Sequence, residues 1–419
     1  MNISELLTSK KCSCGKVHSC DIKHVIIEKN ALTKLPELCF SYNNIVLIAD
    51  INTYAVCGKQ TESFLGDKLS DFLIFESEGY LVPNEESISK LESVVTDSTD
   101  LIVGIGSGVI QDLCKYVSFN KNLPYFIIAT APSMDGYASK GAAMITDNMK
   151  VTYNAHVPEV IIGDVDILKN APMDMIKSGY GDILGKFSCL NDWKLSKIVN
   201  DEYFCDYVYE LTYSMLDAVK DIGPKLLKRD SEAIKLLMEA LVGVGIAMAY
   251  SGNSRPASGS EHHLSHYFEI TGLLNDEPYF MHGTDVAFSA VYTQRIREKL
   301  LGMNPDDFKF EFKRNIWEEN IRKIYTKASD GVIALQDNLG WYENCNISVY
   351  KQKWDEITAC LSEVPDSKKL IEYINSVELD ISDFDKMYGK EKIDNALLYA
   401  KDLKDRYSVL WMYYYITNI

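Results

Sequence analysis

Short uninterrupted apolar runs alternate with longer segments of helical period over roughly the first 170 residues, which predicts strands interleaved with helices. The runs are His24–Ile27, Ile45–Ala49, Phe72–Phe75, Leu101–Ile105, Tyr125–Ala129 and Val160–Ile162. Strands apolar at consecutive positions need burial on both faces, so a mostly parallel sheet covered by helices is expected. After Asn170 the pattern changes. Ala171-Pro172-Met173 reads as a helix start, with proline where its missing N–H costs nothing. Ser231–Tyr250, Phe288–Leu301, Phe308–Ala328 and Lys392–Trp411 then carry helical-period apolar positions with few strand-like runs between them. The expected organisation is a cysteine-bearing arm over 1–23, an α/β nucleotide-binding domain over 24–170 and an all-α domain over 171–419.

Composition narrows the function more than the fold. The chain has 419 residues, 47% hydrophobic and 25% charged, in keeping with a globular protein of more than one domain. A formal net charge of −17 opposes non-specific binding to nucleic acid or anionic lipid, and no basic patch offsets it. No apolar run approaches the ~20 residues of a membrane span. The N-terminal residues lack the apolar stretch of a secretory signal, so the cytoplasm is the expected compartment and the ten cysteines are expected to be mostly thiols. Cys12, Cys14, His18 and Cys20 form C-x-C-x3-H-x-C. That spacing reads either as a small structural zinc knuckle or as a flexible thiol-bearing arm.

Leu101–Ile105 runs into Gly106-Ser107-Gly108 and then into the helical pattern of Val109–Tyr116. A strand, a glycine turn and a helix start suit a phosphate, because the backbone can approach an anion and the helix N-terminus favours negative charge. The strict dinucleotide fingerprint fails, since counting from Gly104 the third glycine position is Val109. A tight structural turn is the competing reading. Asp112 is expected to offset the helix dipole and Lys115 to be a solvated helix residue. Asp50 and Asn52 close the second strand, either as a ribose contact that repels a 2′-phosphate or as turn formers. Thr130, Ser133, Asp135 and Ser139 follow another buried strand, in a loop that would face a ligand crevice.

The strongest chemical signal is Glu261-His262-His263-Leu264-Ser265-His266, with His282 following in a Met-His-Gly turn. On a helix His262 and His266 share a face while His263 turns away. Asp182, in Gly179–Lys186, is either a helix cap or the carboxylate that completes a metal set with two histidines. One Asp and two His with a position left open suit polarising a carbonyl or stabilising an alkoxide; zinc fits best, with nickel, iron or manganese as alternatives. Arg255 reads as a phosphate fork or as a solvated surface arginine.

Taken together, residues 104–115, 129–141, 179–186, 254–266 and 282–283 resemble the sn-glycerol-1-phosphate dehydrogenase family. That family lies within the metal-dependent polyol dehydrogenases and 3-dehydroquinate synthases. The resemblance implies a dehydroquinate synthase-like fold, an N-terminal nucleotide-binding α/β domain followed by a C-terminal helical metal domain. It places metal ligands at Asp182, His262 and His282, and substrate contacts at Asp135, Asp182 and His266. Cofactor contacts fall at Gly108, Val109, Ile110, Gln111 and Asp112, at Thr130, Ala131, Pro132 and Ser133, and at Ser139. The cysteine-bearing arm and Phe308–Leu379 depart from the pattern.

The implied reaction is reversible hydride transfer between the nicotinamide of NAD or NADP and C2 of dihydroxyacetone phosphate, with a divalent metal as Lewis acid and either His266 or a metal-bound water as proton relay. The partner is a small phosphorylated polyol, in the phospholipid-building branch of lipid metabolism, and a homo-oligomer is expected. Alternatives are a dehydrogenase of glycerol or another polyol, a 3-dehydroquinate synthase-like lyase, and a non-catalytic nucleotide-binding protein.

Overall fold

In the computed structural model the described residues are 3–76, 81–146, 149–343, 345 and 347–417. All six apolar runs form strands of one parallel sheet. Its order is His24–Glu28, Val160–Asp164, Tyr125–Ala129, Leu101–Gly106, Ile45–Asp50 and Leu69–Phe75. The four inner strands are buried almost throughout, whereas the edge strands are only partly buried, with Phe72 half exposed. Uninterrupted apolar runs thus correspond to strands covered on both faces. Leu32, Leu47, Val103, Ile105, Phe126, Ile128 and Ile162 pack together on one side of the sheet. A hairpin of Gly141–Thr146 with Met149–Asn154 was not legible, its first strand carrying mostly small residues.

The register sets the strand ends side by side. Ala49 pairs with Ile105 and Gly106 with Ala129, so Asp50, the Gly106–Gly108 turn and the loop from Thr130 leave the same edge of the sheet. Ligands of parallel sheets are bound at this carboxyl edge.

Residues 1–180 and 224–252 form one compact unit, and 181–223 with 253–419 a second. The helix Ser231–Ser251 thereby groups with the sheet. It is apolar on most of its surface and long enough to cross a membrane, but 72% of its most apolar window is buried inside the protein. This corrects the expectation that no segment is so apolar; Glu232, Lys235 and Glu239 in its first turns masked the run. Gly245 brings it against the turn Asp135–Ala138, where an added Cβ would lie 2.8 Å from that of Ala138.

The second unit has no strand among its described residues. The helix that begins at Met173, directly after Pro172 as the sequence predicts, starts within the first unit. Two other expected helices are shorter than their apolar periodicity suggests. The segment from Phe308 turns helical only at Arg314. Lys392–Trp411 is not one helix: it ends at Tyr399, makes a 3-10 turn over Ala400–Leu403 and resumes at Val409. The break serves a buried polar knot, in which Lys401 and Asp402 pair at 2.9 Å and Tyr342 donates to Asp402 at 2.6 Å.

Candidate functional site

In the first unit the glycine turn is built as a cradle. The helix Gly108–Asn120 starts behind Ser107 with no side chain capping it. A Cβ on Gly108 would meet nothing nearer than Met134 at 4.0 Å, so this glycine leaves space in front of a helix N-terminus. Gly106 differs: a Cβ there would lie 2.6 Å from Ile110, and the residue is needed for packing. A pyrophosphate suits such a turn, because backbone N–H groups and the helix dipole meet it without side-chain interference.

The remaining positions on that helix act as support. Ile110 and Gln111 are buried, and the Gln111 amide donates to Tyr125 Oη and the Tyr137 carbonyl at 3.1 and 2.8 Å. The buried Gln111 side chain is thus engaged within the protein, whereas Val109 is partly exposed. Lys115 is not solvated as expected; it is fully buried and donates to the carbonyls of Gly136 and Gly141, to Ser139 Oγ and to Asp112. Asp112 lies beyond the first turn and pairs with Lys115 at 3.3 Å, so it serves that lysine more than the helix dipole. Lys115 therefore ties the helix to the loop that carries Asp135 and Ser139. Thr130, Ser133, Asp135 and Ser139 are all nearly buried, and Thr130 N–H donates to the Gly106 carbonyl at 3.1 Å. Ala131 accepts from Tyr137 Oη at 2.7 Å, which fixes the bend through Pro132. Asp50 caps the following helix, accepting from Asn52 N and Thr53 N through Oδ1, and Asn52 is exposed.

In the second unit Asp182, His262 and His282 each place one donor atom within 4.8 Å of the others. His262 and His266 lie on one face of the helix Ser260–Asn275, and His282 opens the helix His282–Leu301. The three rings cluster, with centroids 5.0 Å apart for His262–His282, 5.6 Å for His266–His282 and 6.1 Å for His262–His266. His263 points elsewhere, as its position predicts. It is buried, neither ring nitrogen has a partner among the described residues, and burial together with Arg406, Lys404 and Arg255 holds its pKa well below the ordinary range.

The arrangement is oriented by its surroundings. Glu261 Oε1 accepts from His262 Nδ1 at 2.7 Å and from Gly259 N–H at 2.8 Å. With Nδ1 engaged, Nε2 of His262 faces Asp182 Oδ1 at 3.6 Å. Orientation of a ligating imidazole through its other nitrogen is the usual device of metal sites. Asp192 in turn holds the helix start: it accepts from Ser260 N–H at 2.6 Å and pairs with buried Arg297 at 2.8 Å. Ser265 Oγ lies 3.4 Å from His282 Nδ1.

Asp182 is fully buried and accepts from Lys186 Nζ at 2.8 Å. Burial alone would raise its carboxyl pKa, but the Lys186 ammonium and the imidazoles of His262 and His282 reverse this and hold it far below the carboxylate range. For His262, burial disfavours the proton while Asp182 and Glu261 favour it, and the net shift is upward. A buried anionic carboxylate facing two imidazoles matches the donor set of a divalent cation. Glu261 and Lys186 carried signals that sequence reasoning passed over: the first adjoins His262, and the second stands four residues from Asp182 on the same helical face.

Arg255 is neither a free phosphate fork nor a solvated arginine. It is 3% exposed; Nε and Nη2 bind both oxygens of Glu202, and Nη1 donates to the Tyr407 carbonyl at 2.6 Å. Its fork is already filled by a carboxylate. Arg406 is the cation with capacity nearby: it donates to the Ser258 carbonyl and Ser254 Oγ, while its buried Nε has no acceptor among the described residues.

The sequence profile described as "Iron-containing alcohol dehydrogenase" matches residues 26–172. The chain is 34% identical over 304 residues to a glycerol-1-phosphate dehydrogenase [NAD(P)+] of Halalkalibacterium halodurans, covering 70% of this chain and 76% of the relative. It is 30% identical over 407 residues to the enzyme of that name from Bacillus licheniformis, covering 95% and 90%. Among solved structures, glycerol dehydrogenase from Schizosaccharomyces pombe superposes with a TM-score of 0.54 at 17% identity, covering 88% of this chain and 92% of that one. Maleylacetate reductase from a Rhizobium strain gives 0.60 at 11% identity, covering 95% and 96%. These structures share the fold, and the two sequence relatives, matched over most of their length, place the chain in the glycerol-1-phosphate dehydrogenase family of the iron-containing alcohol dehydrogenases.

Proposed function

We propose that this chain is an NAD(P)-dependent oxidoreductase interconverting sn-glycerol 1-phosphate and dihydroxyacetone phosphate, with Asp182, His262 and His282 holding a divalent cation. The observation that carries the reading is the convergence of those three side chains, with Glu261 turning the His262 ring towards the carboxylate. When bound, the cation supplies Lewis acidity to the oxygen on C2, and the nicotinamide takes up or returns the hydride. The residues of the chain do the rest. Glu261 fixes one imidazole. Lys186 balances the Asp182 charge. His266, stacked beside His282, is the group we assign to carry the C2 hydroxyl proton.

The Gly108 turn is assigned to the pyrophosphate, with Thr130–Ser133 and Ser139 beside it at the same sheet edge. Asp50 keeps one carboxylate oxygen for its helix cap, and its negative charge there favours NAD over NADP. With Arg255 occupied, Arg406 is the candidate cation for the substrate phosphate, and Asp135 a candidate contact for the polyol. Zinc fits the donor set, with nickel, iron and manganese as the alternatives to test. None of the ten cysteines forms a disulfide, which supports a reducing compartment such as the cytoplasm.

The test is a dihydroxyacetone phosphate reduction assay on chelator-stripped protein reloaded with single metals, beside oxidation of glycerol 1-phosphate and of glycerol. Activity should vanish on stripping, return with one ion per Asp182 site, and favour the phosphorylated substrate strongly. Full activity without metal, or glycerol turned over as well as its phosphate, overturns the reading.

A further inference from the structure

The N-terminal hairpin holds a second cluster of metal-ligating side chains that the proposed reaction does not use. Lys10–Lys11 pairs antiparallel with Val17–His18, with Lys10 opposite His18. The intervening turn is closed by Cys12 N–H donating to the Lys16 carbonyl at 3.0 Å and Gly15 N–H to the Cys12 carbonyl at 3.1 Å. Gly15 sits at φ +88°, a conformation that only glycine adopts without strain. A ladder two residues long, with Lys10 and Lys11 exposed and Val17 at 60% exposure, has no apolar face to hold it together.

Its side chains nevertheless converge inward. Cys12, Cys14 and His18 each offer a donor atom within 4.8 Å of the others. His18 is completely buried, and its Nδ1 lies 3.0 Å from the Tyr250 carbonyl oxygen. A carbonyl can only accept, so Nδ1 carries the proton and the lone pair is on Nε2, the nitrogen 3.5 Å from Cys14 Sγ. Tetrahedral zinc with bonds of about 2.3 Å to sulfur and about 2.0 Å to nitrogen puts those ligand atoms about 3.5 Å apart. The His18 ring also stacks on Tyr250, with centroids at 5.2 Å, and Lys16 Nζ donates to the Ser251 carbonyl at 3.3 Å. The hairpin is thus tied to the end of the apolar helix Ser231–Ser251. Cys20 is absent from the set; it is buried apart from these donors, and burial raises its thiol pKa. The C-x-C-x3-H-x-C pattern therefore contributes its first three ligand types and not its last.

We propose that Cys12, Cys14 and His18 bind a structural zinc ion, distinct from the cation of Asp182, His262 and His282, that pins the N-terminal hairpin to the first unit. Two thiolates and one imidazole are soft to borderline donors that select zinc over the harder ions, and the fourth position falls to a further thiolate of the chain or to water.

The test uses full-length protein purified without chelator. An organomercurial displaces metal held by thiolates, and a chromogenic chelator counts the ion released. The expected result is one equivalent of zinc released from wild type and none from a Cys12→Ser/Cys14→Ser variant. In cobalt-loaded protein the sulfur-to-cobalt charge-transfer band should appear in wild type and in His262→Ala, and be lost in the cysteine variant. No mercurial-releasable metal and no such band in wild type overturns the proposal, whether or not the variant folds. Release that persists undiminished in the folded cysteine variant also overturns it, by assigning the metal to other thiols. Neither outcome bears on the catalytic reading, because the Asp182 set contains no sulfur.

Discussion

Replacing Lys186 with methionine separates a carboxylate that serves a metal from one that merely caps a helix. Lys186 Nζ lies 2.8 Å from Asp182 Oδ1 and both side chains are fully buried. Methionine keeps most of the apolar stem, so the loss is of charge more than of volume. Breaking a buried ion pair from one side costs about 3–5 kcal/mol, because the remaining charge is left uncompensated. Each kcal/mol moves the unfolding midpoint of a domain near 200 residues by about 2–4 °C, so metal-free Lys186→Met should unfold roughly 6–20 °C below wild type. A divalent cation on Asp182 restores the missing positive charge. The metal-induced rise in midpoint should therefore be larger in the variant than in wild type, by much of that deficit. The measurement is calorimetry of chelator-treated protein with and without saturating metal, compared at one scan rate because unfolding at this size is often irreversible. It is run well above the imidazole titration range, so that a protonated His262 cannot stand in for the lysine. Equal metal shifts in the two proteins would refute the reasoning, since Asp182 would then not be the carboxylate that the cation neutralises.

Three further outcomes follow from the same geometry. Glu261→Gln should weaken metal affinity by about 10–100-fold, as removal of an orienting partner does, while leaving the helical circular dichroism unchanged. Arg255→Ala should lower stability by about 1–3 kcal/mol through the lost Glu202 and Tyr407 contacts, with no selective loss of phosphorylated substrate, whereas Arg406→Ala should raise KM for glycerol 1-phosphate more than for glycerol. Lys401 is fully buried, and burial, only partly opposed by Asp402, lowers its pKa from 10.5 to about 8. The unfolded chain then binds more protons than the native one between those values, so this lysine makes stability rise as pH rises above about 8. Between pH 8 and 9.5, below the ordinary tyrosine range, denaturant titration should show wild type gaining stability relative to Lys401→Met by up to about 1.4 kcal/mol per pH unit.

What the sequence disclosed is what local periodicity forces. All six uninterrupted apolar runs entered one sheet, and the four inner ones are covered on both faces. His262 and His266 had to share a face once their segment was helical, and His263 had to leave it. Apart from the small-residue hairpin at Gly141–Asn154 and the late helix start at Arg314, the errors concern charged residues whose fate is decided by distant partners. Arg255 looked free because Glu202 and Tyr407 lie 53 and 152 residues away along the chain. Lys115 looked solvated because its acceptors are backbone carbonyls at Gly136 and Gly141, and no residue type announces a carbonyl. The helix assumed over Lys392–Trp411 broke for the same reason, at a buried lysine and aspartate that apolar periodicity treats as surface.

A buried charge is costly unless paired, and the charged residues of this chain meet that cost in different ways. Arg255, Lys115 and Arg297 are consumed by fixed protein partners and hold elements together. Asp182 differs in kind: it has Lys186 on one side and two imidazoles on the other, and Glu261 holds one of those rings with Nε2 towards it. A carboxylate serving only the lysine would gain nothing from that second tether. The constraint on His262 supports the proposed cation site at Asp182 over a helix-cap role for that carboxylate.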